Sequence, residues 1–223
     1  MRDVIMSVCL LAASGCERQP AKVEAPEAAE PQPVTLASVP APAPAPHKRL
    51  YLDVHDLGPG KVQAKEVAAA HARDLATQGK YGVDFKAYWV DEKQGKIYCL
   101  AEAPSAEATA DVHREAHGLL ASKIMEVSGD SATWTPGPGK KLYLDVHHLG
   151  PGKVTPEAVA AAHQKDLAAQ GKHDVNYLNY WLDQESGTIM CLVEAPNPEA
   201  AIAVHREAHG LIPDSIEEVT EGR

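Results

Sequence analysis

The sequence predicts an α+β protein made of two tandem copies of one small domain. Three observations predict it: a gapless internal duplication, an ordered change of hydrophobic period within each copy, and Pro-Gly punctuation between the copies. Residues 50–127 align with 142–219 at a constant offset of 92, and 47 of the 78 aligned positions are identical. Self-similarity at one fixed period means two equivalent structural units joined in series. Residues 128–141, with Pro136-Gly137-Pro138-Gly139, form the linker.

Each copy reads as a succession of elements. Leu50-Tyr51-Leu52-Asp53-Val54-His55 alternates aliphatic residues with Tyr, Asp and His, the period of a half-buried strand. After the turn Gly58-Pro59-Gly60, the spacing of Val67, His71 and Leu75 predicts a helix over 64–78 that stops at Gly79. Residues 85–91 and 96–103 predict a hairpin. Ser105 is placed to cap a helix running through His117, with Glu107 where a carboxylate meets the positive helix end, and Gly118 closes it. A short strand near 124–127 completes β-α-β-β-α-β, the ferredoxin-like arrangement in which two helices cover one face of an antiparallel sheet. On this reading Leu50, Leu52 and Val54 face the helices, while Tyr51, Asp53 and His55 lie on the open face. Packing the two copies sheet to sheet, as a pseudo-dimer, would cover both open faces and bring Asp53 and His55 near Asp145 and His147. A homodimer of whole chains satisfies the same pattern.

The segment ahead of the copies has a different character. An apolar run over 4–13 ends in Ala13-Ser14-Gly15-Cys16, the shape of a bacterial lipobox, so residues 1–16 read as a lipoprotein signal with Cys16 lipidated. The run is too short to span a bilayer. Residues 17–49, rich in Ala and Pro, cannot build a core and read as a disordered tether that reaches up to about 90 Å in extended form. The expected location is the bacterial cell envelope, facing the periplasm and attached to the membrane through the lipid.

A formal net charge of -10, with no concentrated Lys and Arg, excludes nucleic acid as a partner. Of the 11 histidines only His47 lies outside the two copies. The strongest local signal is His113-Arg114-Glu115-Ala116-His117, because histidines at i and i+4 share a helix face at a spacing that can hold one divalent ion. A zinc-peptidase motif would need Glu directly after the first His, and here Glu115 faces away. His71 and Asp74 can add ligands from the neighbouring helix, and His55 from the strand end. Cys99 reads as a buried thiol, a partner in a disulfide between the copies, or a thiolate ligand. The second copy repeats the set as His147, His163, Asp166, Cys191, His205 and His209.

The residues Asp53-Val54-His55, Ala70-His71-x-x-Asp74, Trp89-x-Asp91, Cys99-Leu100, Ala103-Pro104 and His113 with His117 resemble the small nickel-binding proteins first described from actinobacteria, long carried as a domain of unknown function. The resemblance spans nearly all of both copies. It implies a divalent transition metal as cofactor, nickel first, with copper, cobalt and zinc compatible with the same donors. It also implies candidate ligands at His55, His71, Asp74, Cys99, His113 and His117 and their counterparts. The alternative is a small-molecule-binding or enzymatic two-sheet barrel, its cleft between the copies lined by Asp53, His55, Tyr88 and Trp89. No nucleophile paired with a base, phosphate loop or dinucleotide signature accompanies it.

Overall fold

A computed structural model describes residues 47–129 and 137–223. The expected lipobox with Cys16 and nearly all of the expected tether lie outside the described residues, as does the middle of the linker. The first copy runs β1 (Arg49–Asp56), α1 (Ala64–Thr77), β2 (Asp84–Asp91), β3 (Lys96–Ala103), α2 (Ala106–Ala116) and β4 (Lys123–Gly129). The second runs β5 (Lys141–His148), α3 (Pro156–Ala169), β6 (Asn176–Asp183), β7 (Thr188–Ala195), α4 (Pro198–Ala208) and β8 (Ser215–Gly222). A single 3-10 turn follows α1 and another follows α3. The helix starts have local causes. Ser105 Oγ accepts the Ala108 N–H at 3.2 Å, and Asn197 Oδ1 accepts that of Ala200 at 2.9 Å.

The strands do not form two stacked sheets. They close into one antiparallel barrel in the order β1-β3-β2-β8-β5-β7-β6-β4, with β4 returning to β1. This corrects the expectation of two separate ferredoxin-like domains packed sheet to sheet. Each copy contributes four strands whose outer members have one unpaired edge. β2 takes β8 along Tyr88↔Gly222, Trp89↔Glu221 and Val90↔Thr220. β4 takes β6 along Ser128↔Leu182 and Gly129↔Trp181. Exposed strand edges invite association, and closure removes them by backbone pairing.

The faces of the strands are also the reverse of those expected. Leu52, Leu100, Met125, Leu144, Met190 and Leu192 point into the barrel, where Trp89 and Trp181 meet at 4.9 Å between ring centroids. Tyr51, Val67, Phe85, Tyr88, Cys99 and Val112 form a second core between the strands and the helices of the first copy, and Tyr143, Val159, Tyr177, Cys191 and Val204 its counterpart in the second. Asp53 and His55 therefore lie beneath their own helices, not in a shared interior with Asp145 and His147. Aliphatic and indole groups fill a closed space common to both copies, and this takes the more uniformly apolar side of each strand.

A register shift between Phe85 and Ala87 repeats between Tyr177 and Asn179. The extra residue in β2 lets Phe85 and Tyr88 both face the helices while Ala87 and Trp89 face the barrel. The two seams are not alike. At β2–β8, Glu217 accepts from Lys96 and from the Tyr98 hydroxyl, each at 2.5 Å. The aligned positions in the other copy are Met125, Thr188 and Met190.

One barrel interior shared by both copies predicts one cooperative denaturant transition rather than two. Trp89→Ala should lower the stability of the whole transition by about 3–5 kcal/mol. Two resolved transitions, only one moved by the substitution, would contradict this coupling.

Candidate metal centres

Each centre is assembled from four elements of its own copy, two strands and the two helices over them. β1 supplies Asp53 and His55, two residues apart on one side of the strand, and β3 places Cys99 opposite Asp53. α1 supplies His71 and Asp74. α2 supplies His113, and His117 is its C-cap residue. His55, His71, Asp74, Cys99, His113 and His117 all line one cavity of about 30 Å3. His147, His163, Asp166, Cys191, His205 and His209 line its counterpart, also about 30 Å3. A space of this size holds an ion or a water molecule and excludes an organic substrate.

His113 occupies the middle of the first centre. Its Nε2 is 3.0 Å from Asp53 Oδ2, its Nδ1 is 3.0 Å from Asp74 Oδ1, and the same Nδ1 is 3.2 Å from His117 Nε2. His117 Nε2 lies 3.1 Å from Asp74 Oδ1, and His55 Nε2 lies 3.3 Å from Asp53 Oδ1. The second copy reproduces this, with His205 at 3.1 Å from Asp145 and 3.0 Å from Asp166. Donor atoms of Asp53, His55, Cys99 and His113 lie within 4.8 Å of one another, as do those of Asp74, His113 and His117. His71 stands outside both groups, its ring 4.6 Å from that of Tyr88, but it faces the same cavity. Cys99 and Cys191 are free, buried thiols in different copies. Glu115 is exposed and is held by Lys80 and by the Tyr81 hydroxyl, away from the centre.

Asp53 and Asp145 are the residues that the sequence-based ligand set omitted, and both have no exposed surface. The period-2 spacing to His55 was their signal.

Burial would raise the Asp53 carboxyl, but its contacts with His113 and His55 bring it down to about 2. Burial would likewise lower the His113 imidazole, yet the hydrogen bonds to Asp53 and Asp74 outweigh it and hold it at about 9, and His205 behaves in the same way. His117 and His71 are lowered, chiefly by burial. Burial and the neighbouring Asp53 charge push the Cys99 thiol up. Each centre thus sets a raised imidazole between two acidic side chains, beside imidazoles that burial lowers and a thiol that burial raises.

The residues fit a transition metal on an observation independent of sequence likeness. His55 Nδ1 and both ring nitrogens of His71 are buried without a hydrogen-bond partner, and so are His147 Nδ1 and His163 Nδ1. Buried polar atoms are rarely left unsatisfied, and lone pairs beside a small cavity are what a cation requires.

A family described as nickel responsive protein SCO4226-like matches residues 51–127 and again 143–219. The chain belongs to the SCO4226-like family. Each match to the SCO4226-like proteins spans one copy and contains one whole centre. The crystal structure of SCO4226 from Streptomyces coelicolor A3(2) is similar at 40% identity, covering 34% of this chain and 93% of that one, with a TM-score of 0.33. A mutant chlorite dismutase from Candidatus Nitrospira defluvii shares 8% identity over 79% of this chain and 91% of its own, at a TM-score of 0.45. A putative monooxygenase from Lactobacillus acidophilus shares 9% identity over 78% and 94%, at 0.41. No functionally curated protein shows significant similarity to this SCO4226-like chain.

The raised His113 and His205 set a pH dependence. A histidine raised on folding contributes its full stability below its unfolded value of about 6.5 and loses it as pH climbs towards the folded value. The metal-free protein should lose stability between about pH 6.5 and about 9. The double variant His113→Gln, His205→Gln should show a flatter slope in denaturant melts across that window. An unaltered slope would mean that these histidines are not charged in the folded chain.

Proposed function

We propose that each half of the chain binds one divalent transition-metal ion, nickel by family membership, and that the protein acts as a metal-binding protein of the cell envelope. The repeated set of buried, unpartnered imidazole nitrogens, beside carboxylates and a thiol around a cavity of ionic size, carries this reading. Asp53, His55, Cys99 and His113 form the deeper group of donors, and Asp74, His117 and His71 the outer group; their counterparts serve the second centre. A bound cation would supply positive charge in place of the proton that now holds His113 between Asp53 and Asp74. The thiol of Cys99 would ionise on ligation, and mixed N, O and S donors suit nickel, cobalt, copper and zinc.

Lipidation at Cys16 and the tether over 17–49 would hold the barrel at a membrane, free to sample the periplasm. Among the described residues no helix is long and apolar enough to cross a membrane. Storage, sensing and delivery of the metal all use the same binding step. The enzymatic alternative receives less support, because the four residues expected to line its cleft divide between two compartments. Trp89 lies inside the barrel, and Asp53, His55 and Tyr88 lie under the helices.

Metal content and competitive titration with nickel, copper, cobalt and zinc test the reading. The expected stoichiometry is two ions per chain. The variant His113→Ala, His117→Ala should retain one ion, with its altered centre weakened at least ~100-fold. Adding His205→Ala and His209→Ala should abolish tight binding with the fold intact by circular dichroism. Equal binding by all forms would remove the metal reading.

A further inference from the structure

Helix α2 ends at His117, and the chain turns sharply through Gly118 at φ 78. That left-handed residue, which glycine adopts without strain, returns the next amide onto the side chain it has just passed. The Leu119 N–H donates to His117 Nδ1 at 3.1 Å. The second copy repeats the device: Gly210 at φ 79 brings the Leu211 N–H onto His209 Nδ1, also at 3.1 Å.

A main-chain amide can only donate, so Nδ1 of His117 is an acceptor. A neutral imidazole then carries its single proton on Nε2, and an N–H has no lone pair to offer a cation. Nε2 is the nitrogen that faces the centre, 3.1 Å from Asp74 and 3.2 Å from His113. His71, lining the same cavity, has both nitrogens unpartnered. The two outer imidazoles are therefore unequal: His71 is ready to ligate and His117 is held in the wrong tautomer.

We infer that the Leu119–His117 and Leu211–His209 hydrogen bonds are latches that must open before His117 and His209 can ligate a metal. This rests on the metal-binding reading above and adds a conformational step to it. His117 can present a lone pair to the centre by moving its proton to Nδ1 or by turning its ring, and either route breaks the bond from Leu119. Leu119 is exposed, so its released N–H passes to water and no buried donor is stranded. Occupancy of each centre thus becomes a change at the surface, in segments 118–121 and 210–213. Leu119 and Leu120 are exposed in the first, and Leu211 and Ile212 in the second.

Hydrogen–deuterium exchange by mass spectrometry on the full chain, with and without nickel(II) and with metal content measured on the same samples, tests the latch. Exchange in 118–121 and 210–212 should speed up severalfold on nickel binding, while the amides of α2 and α4 do not. Stoichiometric nickel with unchanged exchange in both turns overturns the latch and leaves the metal reading standing. Absence of bound nickel overturns both. In a second test, Leu119→Pro removes the donating N–H, and the first centre should bind nickel up to roughly tenfold more tightly. The unaltered second centre is the reference within the same chain. Equal or weaker binding by a folded Leu119→Pro variant overturns the latch.

Discussion

A carboxylate with no exposed surface needs a positive charge in contact with it, and the arrangement of each half follows from meeting that need at Asp53 and Asp145. The compensating group has to come from the helix layer, because the other face of the strand looks into an apolar barrel. α2 provides it as His113 and α1 provides the second carboxylate as Asp74, so the helix pair is registered on the strands by a polar chain as well as by apolar packing. The same chain leaves several lone pairs unmatched beside a small cavity. Polar networks left incomplete inside proteins are commonly sites of function, since evolution has no structural reason to keep them.

Much of this was legible in the sequence. The duplication fixes two equivalent units, the change from period 2 to a helical period orders the elements, and Ser105 and Gly118 mark the limits of α2. All six side chains selected in each copy line a single cavity there. The i,i+4 spacing of His113 and His117 placed them on one side of a helix, and the structure turns that side towards the strands.

What was not legible has physical reasons. Alternation along β1 separates two faces but does not say which is inner when both are covered, and in β7 every residue is buried. Seam pairing between β2 and β8 and between β4 and β6 is made by backbone groups, which every sequence carries alike. The bulge that sends both Phe85 and Tyr88 towards the helices has no residue signature in Lys86. Asp53 was read on the same strand face as His55, and its place under the helices beside His113 follows from the reversal of that face.

The unlike seams bear on how such a chain can evolve. Two identical subunits closing the same barrel would have to use one set of residues at both junctions. Lys96 and Tyr98 meeting Glu217 at one junction, opposite Thr188, Met190 and Met125 at the other, is a one-sided arrangement that two identical subunits cannot hold. Covalent joining also replaces encounter between separate molecules with a fixed effective concentration, so assembly does not depend on abundance. Gene fusion therefore lets the halves diverge, and allows one centre to change its properties while the other is retained.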